Sequence, residues 1–346
     1  MTLFDQIDLM ARGGSISLLA LWSWILLRDH GGVLAARLAV AMNAAICCYI
    51  VVTIGWYQRP LIIGLVFALG AGSTPGLFWL FTKSWFNDEQ RFRPRDLALV
   101  GASVANTAVV QLTFPEDGWI NTASGVIFRV AMLAFAGAAL IEMWRGREGD
   151  LIEGRRKLRT RMVFVVGIYV ILIALTEVAA HNGWISHQRQ HVMGSLAVLV
   201  ILAFCAAMFR MRQSDLFAVP VDQGRRSVPA TIDDPLADKL LEYMKREMPH
   251  RDETLSIAKL AAQLGEQEYR LRRTINRQMG HRNFSSFLNG YRLAEVKAAL
   301  SDASQREVPI ITIALDAGFG SLGPFNRAFR EAEGMTPSEF RARFAG

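Results

Sequence analysis

Leu260-Ala261-Ala262-Gln263-Leu264-Gly265 and, 53 residues later, Ile313-Ala314-Leu315-Asp316-Ala317-Gly318 repeat one short pattern. Each is a brief apolar helix with a small alanine inside and a glycine at its end. The alanine lets a second helix cross closely, and the glycine supplies the positive φ that a sharp turn needs. The first copy is followed by Leu271, Arg273, Ile275 and Gly280, the second by Phe325, Arg327, Phe329 and Gly334. After the turn the offset is 54, so the second turn holds one extra residue. The layout is helix-turn-helix, and it occurs twice.

The second helix of each unit has separable faces. Leu271, Ile275 and Met279 recur at i, i+4 and i+8 and are expected to face a core. Tyr269, Arg270, Arg272, Arg273 and Arg277 fall elsewhere on the helix, and Glu266 and Glu268 stand at its N-terminus, where the macrodipole favours acid. In the second unit Phe325, Ala328 and Phe329 point inward, leaving Gly323, Asn326, Arg327 and Arg330 for a groove. Arginine grips guanine O6/N7 bidentately and asparagine pairs with adenine. Residues 236–346 hold 17 lysines and arginines against 14 acidic residues, a mild excess that a solvated surface would also show. The doubled pattern, not the charge, carries the reading. Between the units Phe284, Phe287, Leu288, Tyr291 and Ala294 keep helical spacing to Leu300, which predicts one long connecting helix. Units so joined could enter successive major-groove segments, ~34 Å apart on one face of a duplex.

Residues 240–343 resemble the C-terminal domain of AraC/XylS-type transcription regulators. The stretch that carries the resemblance is Ile313-Ala314 through Gly318-Phe319, then Pro324-Phe325-Asn326-Arg327-Ala328-Phe329-Arg330, Gly334 and Thr336-Pro337-Ser338-Glu339-Phe340-Arg341. Its counterpart in the first unit is Tyr269-Arg270-Leu271-Arg272-Arg273 with Gly280 and Asn283-Phe284. The resemblance implies that Tyr269, Arg272, Arg273, Gly323, Asn326 and Arg327 approach bases, that Arg277 and Arg330 face phosphates, and that the domain activates transcription. The chain departs from the family pattern at Gln267, where a capping serine is usual, at Ile275, where phenylalanine is usual, and at Leu322-Gly323-Pro324, where polar residues often stand. Many members carry a soluble sugar-binding barrel in front. Here the preceding sequence is of another kind, so no sugar ligand is implied.

That preceding half changes solvent. Spanning a hydrocarbon core takes about 20 mostly apolar residues as helix. Runs at about 35–54, 61–81, 97–114, 119–143, 162–180 and 192–209 meet this, and a weaker one at 9–27 contains Arg12 and a glycine pair. The expected architecture is therefore all-α: a polytopic membrane domain of about seven spans over 1–212, a linker over 213–235, and a cytoplasmic double helix-turn-helix domain over 236–346. Lys83, Arg91, Arg93 and Arg95 crowd one connection, and Arg145, Arg147, Arg155, Arg156, Lys157, Arg159 and Arg161 crowd another. The alternate connections are poor in basic residues, with Arg59, none, and Arg189. The positive-inside rule then puts the basic connections and everything after Arg210 in the cytoplasm, with the N-terminus outside an inner membrane. Trp56, Trp119, Trp144 and Trp184 near proposed span ends suit interfacial aromatics. Pro220, Gly224, Ser227, Pro229 and Pro235 punctuate the linker, which suits a jointed tether rather than a continuous signalling helix.

Two ionisable residues stand inside spans, where charge is costly. Arg129 lies 15 residues from Trp144 and Glu177 lies 16 from Arg161, so at ~1.5 Å per residue both sit ~22–24 Å above the inner interface. They are candidates for an intramembrane pair or a signal pocket; a purely packing pair is the plainer alternative. His181, His187 and His191 share an outer connection without a carboxylate or thiol beside them and read as solvated loop residues. The three cysteines, Cys47, Cys48 and Cys205, lie in apolar runs and suggest small buried hydrophobes. Asp5 and Asp8 precede the first apolar run, unlike a cleaved leader.

No phosphate loop, metal triad or nucleophile–base pair is evident, so neither enzyme chemistry nor a metal or cofactor is expected. The net charge of +7 fits basic cytoplasmic loops and a nucleic-acid partner together. The expectation is a membrane-embedded one-component transcription regulator. Its partners would be double-stranded promoter DNA, the bilayer, RNA polymerase, a second copy of the chain and a signal of unknown nature. The alternative is a passive membrane anchor whose DNA binding answers to a cytoplasmic partner.

Overall fold

A computed structural model describes residues 3–52, 61–87, 92–113, 118–145, 149–152, 155–157, 159–165, 168 and 235–344. The chain divides into two compact units, one of Met1–Arg147 with Lys157–Val221, the other of Glu148–Arg156 with Asp222–Gly346. Among the described residues the structure is helical, with a single isolated bridge between Asp150 and Asn283.

The first unit contains α1 (Leu3–His30), α2 (Leu34–Val52), α3 (Leu61–Asn87), α4 (Pro94–Thr113) and α5 (Trp119–Arg145). All five are long and apolar enough to cross a membrane, and they coincide with the five N-terminal runs. The expected spans at 162–180 and 192–209 fall largely or wholly outside the described residues, as do Glu177, the three loop histidines, Cys205 and the linker up to residue 234. α3 packs against α2, α4 and α5, and α1 against α2. Small residues on α3 set these approaches: a Cβ at Gly76 would lie 2.8 Å from Val100 of α4, and one at Gly70 would lie 2.8 Å from the Cys48 Cβ of α2. The aromatic groups Trp79, Phe81, Trp85, Phe86 and Phe135 fill the interior. Outward faces are apolar too, with Trp24, Ile62, Val66, Ile127 and Val130 exposed, a surface that suits contact with lipid.

Arg12 and Lys83 of this bundle each have an acidic partner. Arg12 is buried, its Nε donating to Asp8 Oδ2 at 2.7 Å one turn earlier and its Nη1 to the Ile50 carbonyl at 3.4 Å. The weak first run is thus a full helix of 28 residues, its arginine neutralised internally. Lys83 and Asp96 form a buried pair at 2.7 Å. Trp119 and Trp144 stand exposed at opposite ends of α5, and Arg129 between them is also exposed.

The second unit contains α6 (Pro235–Arg246), a 3-10 turn at Pro249–Arg251, α7 (Ile257–Leu264), α8 (Glu268–Arg277), α9 (Phe284–Ser301), α10 (Ile310–Asp316), α11 (Leu322–Glu333) and α12 (Pro337–Phe344). Its two cores meet opposite ends of α9. Phe284, Phe287 and Leu288 join Leu240, Met244, Leu260, Leu264, Leu271 and Ile275. Leu293, Val296 and Leu300 join Ile313, Phe319, Phe325, Phe329 and Phe340. At ~100° per residue these two sets of α9 residues lie on roughly opposite faces, so α9 serves one unit with each side. Ala294, expected on the inner stripe, is exposed because the buried face has already switched to Leu293 and Val296.

Candidate nucleic-acid interface

The glycines that end the first helix of each pair behave as their sequence suggests. Gly265 has φ 67° and caps α7, its N–H reaching the carbonyls of Ala261 and Ala262. Gly318 has φ 94°. α8 begins at Glu268, three residues after Gly265, and α11 at Leu322, four after Gly318. This is the extra residue that the shifted repeat requires.

Leu271 and Ile275 of α8 are fully buried, and Met279 packs against the same core beyond the helix end. The opposite side of α8 is open. Tyr269, Arg270, Arg273 and Arg277 are exposed and, with Thr274 and Gln278, line a shallow groove. Arg270 is tied one turn back to Glu266 at 2.9 Å. Gln267 stands at the N-cap without a side-chain capping bond, where the family's usual serine would make one.

Arg272 is not part of that groove. It is 5% exposed. Its guanidinium donates to Glu268 one turn back and, through Nη1, to the main-chain oxygen of Asp150 at 2.7 Å. The structure therefore brings Tyr269, Arg273 and Arg277 together and holds Arg272 apart from them.

In the second unit Phe325 and Phe329 of α11 are fully buried and Ala328 is partly so. Gly323, Arg327 and Arg330 are exposed, and Asn326 is half-buried. Leu322 and Pro324 also face outward, giving this helix an apolar leading edge. Behind it, Thr336 and Glu339 cap α12 reciprocally: the Thr336 N–H donates to Glu339 Oε2 at 2.6 Å, and the Glu339 N–H donates to Thr336 Oγ1 at 3.2 Å. The N–H of Thr336 and its hydroxyl hold the Glu339 carboxyl below its ordinary pKa.

Side chains that the pattern did not single out hold the two reading helices in one frame. Arg292, buried in α9, donates to the carbonyls of His250 at 2.7 Å and Asp252 at 2.9 Å, and lies over the Phe319 ring at 5.7 Å. Glu295, one turn on, pairs with His250 at 2.9 Å and Arg251 at 2.6 Å. Burial opposes ionisation of Glu295, but hydrogen bonds from Arg251 and His250 outweigh it and lower its pKa. Lys239 donates to the Leu264 carbonyl at 2.7 Å, satisfying the C-terminal end of α7. Nothing in helical spacing marks Arg292; only its neighbours in space reveal it.

Residues 260–343 match the family described as a helix-turn-helix domain. The C-terminal part of the chain is thus an AraC-type DNA-binding domain, and its function is DNA-binding transcription regulation. Comparison with curated proteins and with solved structures finds no match.

Proposed function

We propose that the chain is a membrane-embedded one-component transcription regulator, reading promoter DNA through α8 and α11 under control of a signal received by its apolar helices. One observation carries this reading: a DNA-binding domain with an arginine-bearing open face on each unit follows, in one chain, five helices apolar enough to cross a membrane. Arg273 and Arg327 occupy equivalent positions in the repeat, and both are exposed; they are the guanine-reading candidates, with Tyr269, Gly323 and Asn326 beside them. Arg277 and Arg330 take phosphates. α9, ~27 Å long at 1.5 Å per residue, spaces the two readers. Arg272 joins the base contacts only when freed from Asp150.

The basic connections set the topology, with the N-terminus outside an inner membrane and the DNA-binding domain in the cytoplasm. Binding as a dimer, contact with RNA polymerase and activation rather than repression complete the proposal. The exposed Arg129 on α5 remains the candidate for a signal pocket with Glu177. The test is chromatin immunoprecipitation of the full chain from membranes, against an Arg273→Ala, Arg327→Ala variant. Sharp peaks that vanish in the variant support the reading and give the operator. Equal enrichment of both proteins rules out sequence reading through these helices.

A further inference from the structure

We propose that Gly149–Ile152 is an autoinhibitory clasp on the first helix-turn-helix: while seated it withholds Arg272 from DNA, and its release switches that unit on. The inference rests on the DNA-binding reading above and adds its regulation.

The segment is built into the DNA-binding unit although it precedes that domain by more than 80 residues of sequence. The Leu151 N–H donates to the Arg282 carbonyl at 3.0 Å, and the Phe284 N–H donates to the Gly149 carbonyl at 2.8 Å. Together they form an antiparallel bridge across Asp150 and Asn283. Leu151, 3% exposed, joins the core of the first unit beside Leu271 and Phe284. The clasp also closes on itself. The buried Asp150 carboxylate accepts from Arg155 Nε at 2.7 Å and from the Ile152 N–H at 3.1 Å.

Its effect falls on one base-reading candidate. At ~100° per residue Arg272 lies midway between the core-facing Leu271 and the open-facing Arg273, on a flank that the helix's own core does not cover. Asp150 covers it. With its donors engaged by the Asp150 carbonyl and the Glu268 carboxylate, the guanidinium cannot present its fork to a guanine edge. The clasp and bidentate base contact by Arg272 therefore exclude one another. Gly149 stands four residues beyond Arg145, the last residue of α5, so the clasp is a near neighbour in sequence of an apolar helix.

The experiment uses the full chain in nanodiscs and a fluorescent duplex DNA pool with a random core. Leu151→Asp opens the clasp. Asp150→Cys with Asn283→Cys, in a background with Cys47, Cys48 and Cys205 changed to alanine, closes it by oxidation, because non-hydrogen-bonded antiparallel pairs bring Cβ atoms close. Leu151→Asp is expected to retain several-fold more DNA than the parent, a gain lost when Arg272→Ala is added. The oxidised cysteine pair is expected to retain several-fold less than its reduced form. Oxidation that leaves binding unchanged or tightens it would overturn the clasp, and would identify the segment as a structural support. No retention by any form above the Arg273→Ala, Arg327→Ala control would defeat the DNA-binding reading itself.

Discussion

Arg292 of α9 donates from Nε to the main-chain oxygen of His250 at 2.7 Å, joining the connecting helix to the turn that precedes the first helix-turn-helix. The same guanidinium lies over Phe319 in the second unit, so one side chain touches three parts of the domain. Arg292→Leu leaves the His250 and Asp252 carbonyls without this donor. The expected loss is about 3 kcal/mol, the range for charge-assisted hydrogen bonds to a buried partner. Hydrogen exchange of α9 amides in the full chain measures it; protection unchanged within experimental error would show that α9 is held by its apolar contacts alone.

Gly318 and Gly265 both have positive φ but differ in surroundings. A Cβ at Gly265 meets open space, whereas one at Gly318 runs into the His250 carbonyl and lies 2.8 Å from Arg251 Cα. Gly265→Ala should cost about 1–2 kcal/mol from backbone conformation alone. Gly318→Ala adds a clash with backbone that cannot rotate away, a further 1–3 kcal/mol or so. Denaturant unfolding of the two variants separates these contributions, and equal losses would mean that the 249–251 turn yields.

How far these features could be read in advance differs by element. The doubled turn, its one-residue offset and the inward faces at Leu271, Ile275, Phe325 and Phe329 follow from local periodicity, and the structure has each of them. Arg272 could not be placed by period, because it lies on the border of the helix face and a segment 122 residues earlier decides its exposure. That segment reads as a charged connection, and its single leucine–isoleucine pair gives no signal of a core partner. The full length of α1 was hidden for the opposite reason: Arg12 looks like a break until Asp8 is seen one turn away.

Salt dependence distinguishes phosphate contacts from base contacts. Arg277→Ala and Arg330→Ala should each flatten the slope of log affinity against log salt by about one unit and weaken all sequences alike. Arg273→Ala and Arg327→Ala should cost about 1–3 kcal/mol on the preferred site and relax the sequence preference there. Fluorescence anisotropy on the operator over a salt series checks both. A slope unmoved by Arg277→Ala would remove that residue from the phosphate set.

Acid should loosen the frame around α9. Glu295 has a lowered pKa in the folded chain, so the folded state binds fewer protons there than the unfolded state, whose carboxyl titrates near 4.3. The stabilisation is present at neutral pH and is lost as pH falls from about 4.3 through the folded value. Glu295→Gln should therefore lower stability at pH 7 and show a shallower further loss in acid. Unfolding midpoints measured across that window test the sign; parallel acid profiles for parent and variant would assign the sensitivity to other carboxylates.

Lys83 at the end of α3 and Asp96 at the start of α4 form a buried pair at 2.7 Å, and the Lys83 ammonium also lies 5.4 Å from the Trp79 ring. Removing one partner deprives a buried charge of its 2.7 Å contact, a loss of up to about 3–5 kcal/mol. Asp96→Asn should reduce the yield of folded protein in detergent, and Lys83→Met alone should do the same to a smaller degree, because Arg95 at 3.8 Å and the Arg93 N–H still face the Asp96 carboxylate. Lys83→Met with Asp96→Leu removes both charges together and should recover much of the loss, because neither needs solvation any longer. Thermal unfolding in detergent compares the three. If the double variant is no better than the singles, the pair contributes through geometry that apolar side chains cannot replace, and the α3–α4 connection depends on the ion pair itself.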